Sequence, residues 1–398
     1  MAGTPLQIAV IGGGIGGLTA ALSLRRAGFE VEVYEQAPAL THIGGGINMG
    51  PNAARILIRL GLGEGLLGEG VRPLNTHQRR WDDGRTLQRA PLNPQCEQLY
   101  GAPHITIHRA DLLAVISSGF PADRLHLDHR LADLAERGDH VEAWFDNGVR
   151  IRPDILIGAD GIHSAVRAAL FGEEAPVFAS CVAYRGLVPV ERIADLGLEL
   201  SSQSWVGPGG HLVHYFVSRR QVLNFVGWTE HDEWNREDWT DRATVARALA
   251  AFEGWHPQIR RIIGAADECF IWALFDRDPL PRWSVGRTTL LGDACHPMYP
   301  FMGQGAAQAI EDGAALAACL AAGSDDPAAA LRHYEQLRLP RVTRLQEMSR
   351  ANKIRFHMRD GPGQEARDAE WARAGDRSPD ALRWLYAHDP AALEAAPA

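Results

Sequence analysis

The hydrophobic pattern at the start of the chain predicts a strand, a helix and a second strand. Ile8 to Ile11 is a short apolar run of the length expected for a buried parallel strand. Apolar residues then recur at helical spacing, and Gly28 is a typical helix terminator. A second apolar run, Val31 to Tyr34, leads into Glu35. The segment therefore predicts a β-α-β unit.

The pattern changes several times further along the chain. "HITIHRADLLAVI" (104–116) predicts a short strand running into a helix, whereas 73–100 looks irregular. Between 177 and 229, alternating β-branched and aromatic residues with turn signals predict an antiparallel sheet. Helical sequence returns at 242–266. The helix predicted from about Pro327 carries Pro340, where we expect a kink.

Together these patterns predict an α/β fold in which a split Rossmann-like nucleotide-binding domain carries an inserted antiparallel-sheet substrate domain and a C-terminal helical segment. Within the first segment, the Asn52 side chain is expected to cap the helix that carries Ile56 and Leu60. The predicted boundaries are 1–72, 101–176 and 276–325 for the nucleotide domain, 73–100 and 177–275 for the substrate domain, and 326–398 for the C-terminal helical region.

The turn between the first strand and helix fits G-x-G-x-x-G with Gly12, Gly14 and Gly17. In this motif the first glycine permits a tight turn, the second lets the backbone approach a pyrophosphate, and the third lets helix and strand pack closely. The helix N-terminus offers free N–H groups to phosphates. Glu35 can accept hydrogen bonds from a ribose diol and would repel a 2′-phosphate. We favour a dinucleotide site over a ligand-free glycine-rich turn, with NAD and FAD both open at this point.

Composition narrows the partners. The chain has 398 residues with 40 Lys and Arg against 49 Asp and Glu, a net charge of −9 that argues against nucleic acid and anionic membranes. No apolar run reaches membrane-spanning length. The cysteines lack metal-ligand spacing, which favours a reducing compartment; they are Cys96, Cys181, Cys269, Cys295 and Cys319. We expect a cytoplasmic protein, and the sequence leaves a homodimer open.

Two further segments accompany the glycine-rich turn: "IGADGIHSAVR" (157–167) and "GRTTLLGDACHPMYPFMGQGAAQAIED" (286–312). The three ordered motifs resemble the fingerprints of the single-component FAD-dependent aromatic hydroxylases, the para-hydroxybenzoate hydroxylase-like flavin monooxygenases. The resemblance covers nearly the whole chain. Through "ITIHRADLL", "AYRGLV", "DRDPLPRW" and "WLYAHDP" the sequence is most similar to salicylate hydroxylases, 3-hydroxybenzoate 6-hydroxylases and 6-hydroxynicotinate 3-monooxygenases.

The resemblance implies FAD as cofactor, with NADH or NADPH as a co-substrate that has no Rossmann domain of its own. It implies that Arg109 contacts the cofactor, that Asp293 binds the ribityl hydroxyls, and that Asp160 serves both the cofactor and nicotinamide paths. The helix that begins near Gly303 can direct its N–H groups at the negative charge of a reduced flavin, or it is only a small-residue packing contact. The predicted cofactor-binding residues are Gly12, Gly14, Ile15, Gly16, Gly17, Glu35, Gln36, Gly46, Ile47, Arg109, Leu131, Asp160, Asp293, Pro300, Gly303, Gly305 and Ala306.

The activity implied is hydroxylation of a small phenolic or N-heteroaromatic acid with O2 through a C4a-hydroperoxyflavin, with decarboxylation where the attacked carbon bears the carboxylate. Such chemistry needs a base or hydrogen-bond acceptor and a dry pocket. In "HLVHYFV" (211–217), strand alternation puts His211 and Tyr215 on one face and His214 on the other, although a one-residue slip would exchange the faces. The resembling enzymes use a His and a Tyr at these places. We predict His211 as base or acceptor and Tyr215 as a hydrogen-bond partner of the substrate; the alternative is that both are ordinary sheet residues with satisfied polar tips.

Four more residues complete the predicted substrate site: Asn48, Arg185, Pro300 and Phe301. Phe301 stands where salicylate hydroxylase-like enzymes have a His after the proline, and Asn48 stands where the 6-hydroxynicotinate enzyme has a His. Both departures leave the exact substrate open. Arg185 can meet a substrate carboxylate or bridge the sheet and the nucleotide domain. His296 invites a catalytic role, but we favour the alternative that it fixes the loop beside the cofactor.

Several other activities are weighed on the same fold. A flavin halogenase would carry W-x-W-x-I-P, which the sequence lacks. An oxidase or reductase without oxygen insertion, a urate-type hydroxylase, and a non-catalytic binding protein like the prenyl-protein chaperones are the remaining alternatives. The Trp-rich stretch 228–239 predicts a surface loop and helix start with packed indoles rather than a ligand site.

Overall fold

The structure is a computed structural model that describes residues 6–40, 44–231, 242–375 and 378–392. Its strands, numbered in chain order, are β1 (Gln7–Ile11), β2 (Glu30–Tyr34), β3 (Gly46–Met49), β4 (Asn75–Arg80), β5 (Thr86–Pro91), β6 (Ile105–His108), β7 (Leu125–His126), β8 (Leu131–Glu136), β9 (Val141–Phe145), β10 (Arg150–Ile151), β11 (Ile155–Gly158), β12 (Val177–Pro189), β13 (Ser201–Gly207), β14 (Gly210–Val217), β15 (Val222–Glu230), β16 (Arg242–Ala243), β17 (Cys269–Asp276), β18 (Ser284–Val285) and β19 (Thr288–Leu290).

The α-helices, numbered in the same way, are α1 (Ile15–Arg26), α2 (Pro51–Leu57), α3 (Gly63–Glu69), α4 (Gln95–Tyr100), α5 (Arg109–Ser118), α6 (Ala165–Phe171), α7 (Val245–Ala251), α8 (Pro257–Gly264), α9 (Gly305–Ala322), α10 (Pro327–Phe356), α11 (Pro362–Ala374) and α12 (Arg383–Tyr386).

A six-stranded sheet in the order β18-β19-β11-β1-β2-β7 forms one half of the molecule. Its strands are parallel except for the β18–β19 pair. The predicted β-α-β unit is confirmed as β1, α1 and β2, and both strands are apolar because they are buried by helices. Gly313 of α9 lets this helix lie close to α1, since a Cβ there would be 2.8 Å from the Ala20 Cα.

An eight-stranded sheet in the order β16-β17-β12-β15-β14-β13-β4-β5 forms the other half. Its strand pairs are antiparallel except for β13 with β4. The antiparallel sheet predicted over 177–229 is therefore confirmed. One face is covered by apolar side chains of α7 and α8, including Ile259 and Ile262. The opposite face meets the loop after β19 and the end of α10.

Two local expectations are wrong. Residues 73–100 are not irregular but form β4, β5 and α4, because pairing with β13 stabilises a polar strand that has no apolar alternation of its own. Asn52 does not cap α2: Gly50 is the N-cap, and Asn52 Nδ2 instead donates to Glu311 Oε1 at 2.6 Å. The helix α10 runs from Pro327 to Phe356 with Pro340 inside it, and the kink expected there stays a prediction.

The part of the chain that the structure describes contains no helix with the length and apolarity needed to cross a membrane. All five cysteines are buried and free, in agreement with the absence of a paired framework. Of the Trp-rich stretch, 228–230 belongs to β15, whereas 232–239 lies outside the described residues.

Candidate active site

The glycine-rich turn is shaped by two of its glycines and leaves room at the third. Gly12 has φ +110°, and a Cβ there would clash with the Ala159 carbonyl, while a Cβ at Gly17 would clash with the Gly12 carbonyl. Glycine is thus required by the protein itself at these positions. Around Gly14, by contrast, a Cβ would meet nothing within 4 Å. Gly14 borders open space at the start of α1, as expected where a ligand approaches the backbone.

The first turn of α1 offers donors, and Glu35 lies beside it. Gly14 is the N-cap and gives no side-chain cap, so the first N–H groups of α1 are free for a ligand. Ile15 and Gly16 begin the helix, whereas Gln36 is exposed beyond β2.

Glu35 is held by the backbone around it. Its Oε2 accepts the Gly13 N–H at 2.6 Å, and its Oε1 accepts the Ala37 N–H at 2.9 Å. A carboxylate has about four lone-pair sites, so Glu35 can still accept a hydroxyl while it fixes the turn.

The second candidate cofactor segment follows β19. Asp293 is exposed, and no group in the described ranges donates a hydrogen bond to it. The surrounding protein nevertheless raises the pKa of its carboxyl by burial, against the charges of His296 and Arg109. Asp293 lies in the turn Gly292–Ala294 directly after β19, and its carboxylate is available to hydroxyl groups.

The start of α9 is equally open. Gly303 takes the left-handed conformation with φ +62°, and Pro300 before it is exposed. A Cβ at Gly305, the first residue of α9, would meet nothing within 4 Å, and Gln304 gives no side-chain cap. Ala306 is half-buried in the same turn. The N–H groups at this helix end can face a negative charge.

Asp160 has a structural role in its own turn. It accepts from Ser164 Oγ at 2.5 Å and from the Val166 N–H at 3.1 Å, which stabilises the start of α6. Burial raises its carboxyl pKa, and these hydrogen bonds oppose the rise. Leu131 is a buried residue of the core that also contains β1 and α1.

Arg109 joins two of the candidate segments. It begins α5, its N–H donates to the Gly45 carbonyl at 2.9 Å, and its side chain packs over Gly44. Gly46 and Ile47 follow in β3, which pairs with β6 just before Arg109.

His211 and Tyr215 of β14 lie on one face of the eight-stranded sheet, as the strand alternation predicts. His211 pairs across β15 with Trp228, and Tyr215 pairs with Asn224. His214 lies on the opposite face, where its Nε2 accepts the Trp205 Nε1–H at 3.2 Å. The register expected for β14 is thus confirmed, and His211 and Tyr215 point to the same side.

His211 sits in an aromatic box. Its ring makes edge contacts with Phe301 and Phe356, at 4.9 Å and 5.2 Å between centroids, and stacks parallel to Trp228. Its Nδ1 is hydrogen-bonded to His357 Nε2 at 2.7 Å. Burial, with a smaller effect of His357, lowers the pKa of His211 well below its usual value. The side chain is therefore neutral at pH 7 and suited to accept a hydrogen bond.

Arg185 and Tyr215 form a polar pair against β3. The Arg185 guanidinium stacks on Trp272 at 3.9 Å and packs against Gly45, and it has no acceptor among residues that the structure describes. Burial lowers its pKa to about 10, so it is still cationic at pH 7. The Tyr215 ring packs against Gly46, and burial raises its hydroxyl pKa, so it is a donor. A buried cation without an anion favours an anionic ligand.

Asn48 and Phe301 line neighbouring parts of the same cleft. Asn48 Oδ1 lies 3.4 Å from His104 Nε2, and a Cβ on Gly303 would lie 3.4 Å from the Asn48 Cβ. Phe301 is buried and also packs edge-on against Trp228 at 5.3 Å. The site is thus bounded by the sheet face, by β3 and by the loop before α9.

A buried ionic network beneath the cleft was not found from the sequence. His296 Nε2 donates to Asp312 Oδ2 at 2.6 Å, and Arg338 donates to Asp312 and Glu311 at 2.7 and 2.6 Å. Asp312 Oδ2 also accepts the Gly292 N–H at 2.9 Å. This agrees with the prediction that His296 fixes the loop that carries Asp293.

Comparison with known proteins agrees with this geometry. Residues 5–349 match the family described as FAD binding domain. The chain is 43% identical over 385 residues to a 3-amino-4-hydroxybenzoate 2-monooxygenase of Streptomyces platensis, covering 97% of this chain and 96% of that protein. It is 39% identical over 355 residues to a 6-hydroxynicotinate 3-monooxygenase of Bordetella bronchiseptica, covering 88% and 92%.

Solved structures give the same result. Klebsiella pneumoniae HpxO complexed with FAD and uric acid has a TM-score of 0.85 and 28% identity, with 96% of each chain covered. A salicylate hydroxylase substrate complex has a TM-score of 0.82 and 28% identity, covering 98% of this chain and 97% of that one.

The residues present fit FAD. Open space borders Gly14 and Gly305, two helix N-termini lack side-chain caps, and Asp293 has a carboxylate without a partner in the described chain. The matched family, the relatives that align over most of the chain and the predicted motifs support the same conclusion. The chain belongs to the FAD-binding family of flavin-dependent aromatic monooxygenases.

Proposed function

We propose that this enzyme hydroxylates a small aromatic acid that carries an electron-donating hydroxyl or amino group, and that 3-amino-4-hydroxybenzoate is its substrate. The relatives that act on this compound align over 97% of the chain. When bound, FAD supplies the oxygen-transfer chemistry with O2, and NADH or NADPH supplies the electrons. The chain's own residues bind the acid, orient its ring and keep water away.

The observation that carries the proposal is the Arg185 guanidinium, which has no acceptor among the described residues and lies on the same face as His211 and Tyr215. Arg185 and Val213 both align with Val226, so Arg185 lies two strands away from the centre of the His211–Tyr215 pair, at about 10 Å. Side chains that converge from these positions enclose a single ring, with Arg185 and Tyr215 side by side against β3 at one end and His211 at the other. A carboxylate is the complement of Arg185.

His211 is suited to the donor group of the ring, and Tyr215, beside Arg185, is suited to an oxygen of the substrate. A neutral His211 accepts the O–H or N–H proton, and the protonated Tyr215 hydroxyl donates to an oxygen. Phe301 and Trp228 give the His211 end of the pocket apolar walls that exclude water.

A second candidate substrate is 6-hydroxynicotinate, because two relatives that act on it are 39% and 38% identical to this chain. It has the same carboxylate and donor oxygen. Asn48 and Phe301 differ from the histidines expected for that substrate and for salicylate, and so the aminohydroxybenzoate is favoured.

The test is NADH-driven oxygen uptake by the FAD-loaded protein with 3-amino-4-hydroxybenzoate, 6-hydroxynicotinate, 3-hydroxybenzoate, salicylate and urate. Hydroxylated product, carbon dioxide and peroxide are counted separately. We expect coupled hydroxylation of 3-amino-4-hydroxybenzoate without carbon dioxide. Coupled turnover of urate alone would contradict the proposal, and NADH oxidation that yields only peroxide with every acid would favour an oxidase.

The variant Arg185→Gln tests whether Arg185 binds the carboxylate of the substrate. Charged hydrogen bonds contribute about 1.5–3 kcal/mol, so we expect KM for the acid to rise roughly 10- to 100-fold. The carboxamide analogue should be bound equally by wild type and variant. Arg332→Gln, an exposed position on α10, is the matched control and should leave KM unchanged.

His211→Ala tests the other end of the ring. We expect normal FAD content and NADH oxidation with hydroxylation lowered by about 10²-fold or more, because the proton acceptor is lost. Unchanged product formation would remove His211 from the reaction.

We also propose the domain division given above, with 1–72, 101–176 and 276–325 holding FAD, 73–100 and 177–275 holding the substrate, and 326–398 forming the C-terminal helical region. The open space at Gly14 and the sheet face at His211 support this assignment. A cytoplasmic location is favoured by the free, buried cysteines.

A further inference from the structure

The residue bonded to His211 comes from a distant part of the chain. His357 directly follows α10, and its Nε2 lies 2.7 Å from His211 Nδ1. The two residues are 1% and 4% exposed. The Gly209 N–H donates to the His357 carbonyl at 3.0 Å, which holds this backbone against the beginning of β14. The pair is therefore a fixed feature of the substrate-facing sheet.

The second nitrogen of His357 points toward the surface. Its Nδ1 has no hydrogen-bond partner in the described chain, and Glu230 Oε1 lies 4.0 Å away. The Glu230 side chain is 41% exposed and pairs with Arg359 at 3.4 Å. Lys353, one turn earlier in α10, is the other charge that acts on His357. His211, His357 and Glu230 thus form a line of titratable groups from the sheet face to solvent.

We infer that His357 is a proton relay that carries the substrate's proton from His211 to Glu230 and the solvent. The inference rests on the proposed role of His211. The O–H or N–H bond of the ring's donor group breaks as a bond to His211 Nε2 forms. The proton on His211 Nδ1 then passes to His357 Nε2, and the proton on His357 Nδ1 passes to Glu230. The electron pair stays on the substrate, and a proton returns by the same path when product leaves.

The relay explains how a buried neutral histidine can act as a base. A protonated His211 in this apolar box would be costly, so it must give up one proton as it takes another. The remaining 4.0 Å to Glu230 is closed by rotation of an exposed carboxylate or by one water.

The competing explanation is that His357 only orients the His211 ring. Glutamine at 357 distinguishes the two, because its amide can keep a hydrogen bond to His211 Nδ1 but cannot receive a proton and release another. If His357 were only an orienting residue, His357→Gln would behave like wild type.

The first experiment measures product formed per NADH with 3-amino-4-hydroxybenzoate in the FAD-loaded protein. We expect His357→Gln to lower product formation at pH 7 by about 10²-fold, with peroxide in its place. His357→Ala should be as slow, and added imidazole should accelerate it in proportion to its neutral fraction. His333→Gln, on the same helix without a described partner, should match wild type. Wild-type product formation by His357→Gln would overturn the relay.

The second experiment needs no substrate and therefore separates the relay from the substrate proposal. Nitrogen-15 NMR of the histidines in FAD-loaded wild-type protein, assigned with the His357→Gln and His211→Gln variants, reports which nitrogen carries the proton. The relay requires His211 with Nδ1–H donating to His357 and with a bare Nε2. The opposite tautomer, with His357 Nε2–H donating, would overturn the relay even if 3-amino-4-hydroxybenzoate is hydroxylated. If that acid is not turned over and the expected tautomer is found, only the substrate assignment fails.

Discussion

Replacing Arg338 with methionine is the sharpest test of what holds the cofactor cleft in shape. Arg338 is 1% exposed in the middle of α10 and donates to two buried carboxylates. Its Nε reaches Asp312 Oδ1 at 2.7 Å, and its Nη1 reaches Glu311 Oε2 at 2.6 Å. A third donor, Nη2, reaches Gln308 Oε1 at 2.7 Å. Methionine fills much of the volume but removes all three donors.

The expected loss follows from what remains. Removing one partner of a buried ion pair costs about 3–5 kcal/mol, because the other charge stays buried. Glu311 keeps Arg341, at 2.8 Å, and Asp312 keeps His296, at 2.6 Å. Neither carboxylate is left wholly uncompensated, so the two losses do not add, and we expect Arg338→Met to lower the free energy of unfolding by about 3–5 kcal/mol.

The effect should reach the cofactor. Asp312 also holds the Gly292 N–H and His296, which flank Asp293. Once Asp312 loses Arg338, that loop is held less firmly, and we expect FAD to be lost faster on dilution or gel filtration.

The assay is urea unfolding of the FAD-free and FAD-loaded protein, followed by far-UV circular dichroism and by flavin fluorescence. Arg332→Met is the control on the exposed side of the same helix and should change stability by less than about 0.5 kcal/mol. A loss for Arg338→Met no larger than that of the control would refute the reasoning, because it would mean that the network contributes nothing net.

Two further predictions use the same measurements. Gly14→Val should leave the FAD-free protein as stable as wild type, but the purified variant should be colourless, because a Cβ there meets only the open space of the proposed cofactor site. The control Gly17→Val should destabilise the fold itself, because its side chain clashes with the Gly12 carbonyl. Equal FAD content in wild type and Gly14→Val would contradict the prediction. The free energy of unfolding should also fall as the pH is lowered from about 4 to about 2. Burial raises the pKa of the Asp312 carboxyl, but the charges of His296 and Arg338 outweigh this effect and hold the pKa in the folded protein at about 2, below its unfolded value of about 3.9. The free energy of unfolding of Asp312→Asn should be lower at pH 7 and change less over this pH interval.

The sequence predicted those parts of the fold and site that are written in local patterns. The glycine spacing after β1 and the alternation in β14 each have a short-range physical cause, a tight turn in the first case and the pleat in the second. The structure confirms both predictions. The polar strand β4 was not predicted, because its residues show no apolar alternation and it is stabilised by its partner β13.

The parts that the sequence did not predict depend on contacts between distant segments. His357 is 146 residues from His211, and Arg338 is 26 residues from Asp312 on another helix. Nothing in the spacing of either pair indicates that they meet. Asn52 was misread for the same reason: its type suggested a helix cap, but its amide is used by Glu311 of α9. A charged or polar residue inside an otherwise apolar helix is the one signal that could have pointed to such partners.

The contrast between these two sets of polar groups indicates where the chemistry lies. Beneath the cleft, Glu311, Asp312 and Arg338 saturate one another and serve the fold. Along the cleft, Arg185 and Asp293 have no partner in the described chain although the surrounding protein shifts their pKa values. A cation and a carboxylate that have no partner in the described part of the cleft are explained most simply by ligands that bind to them. This supports the proposal that a hydroxyl-rich ligand binds at Asp293 and an anion at Arg185, which is the division that a flavin and an aromatic acid require.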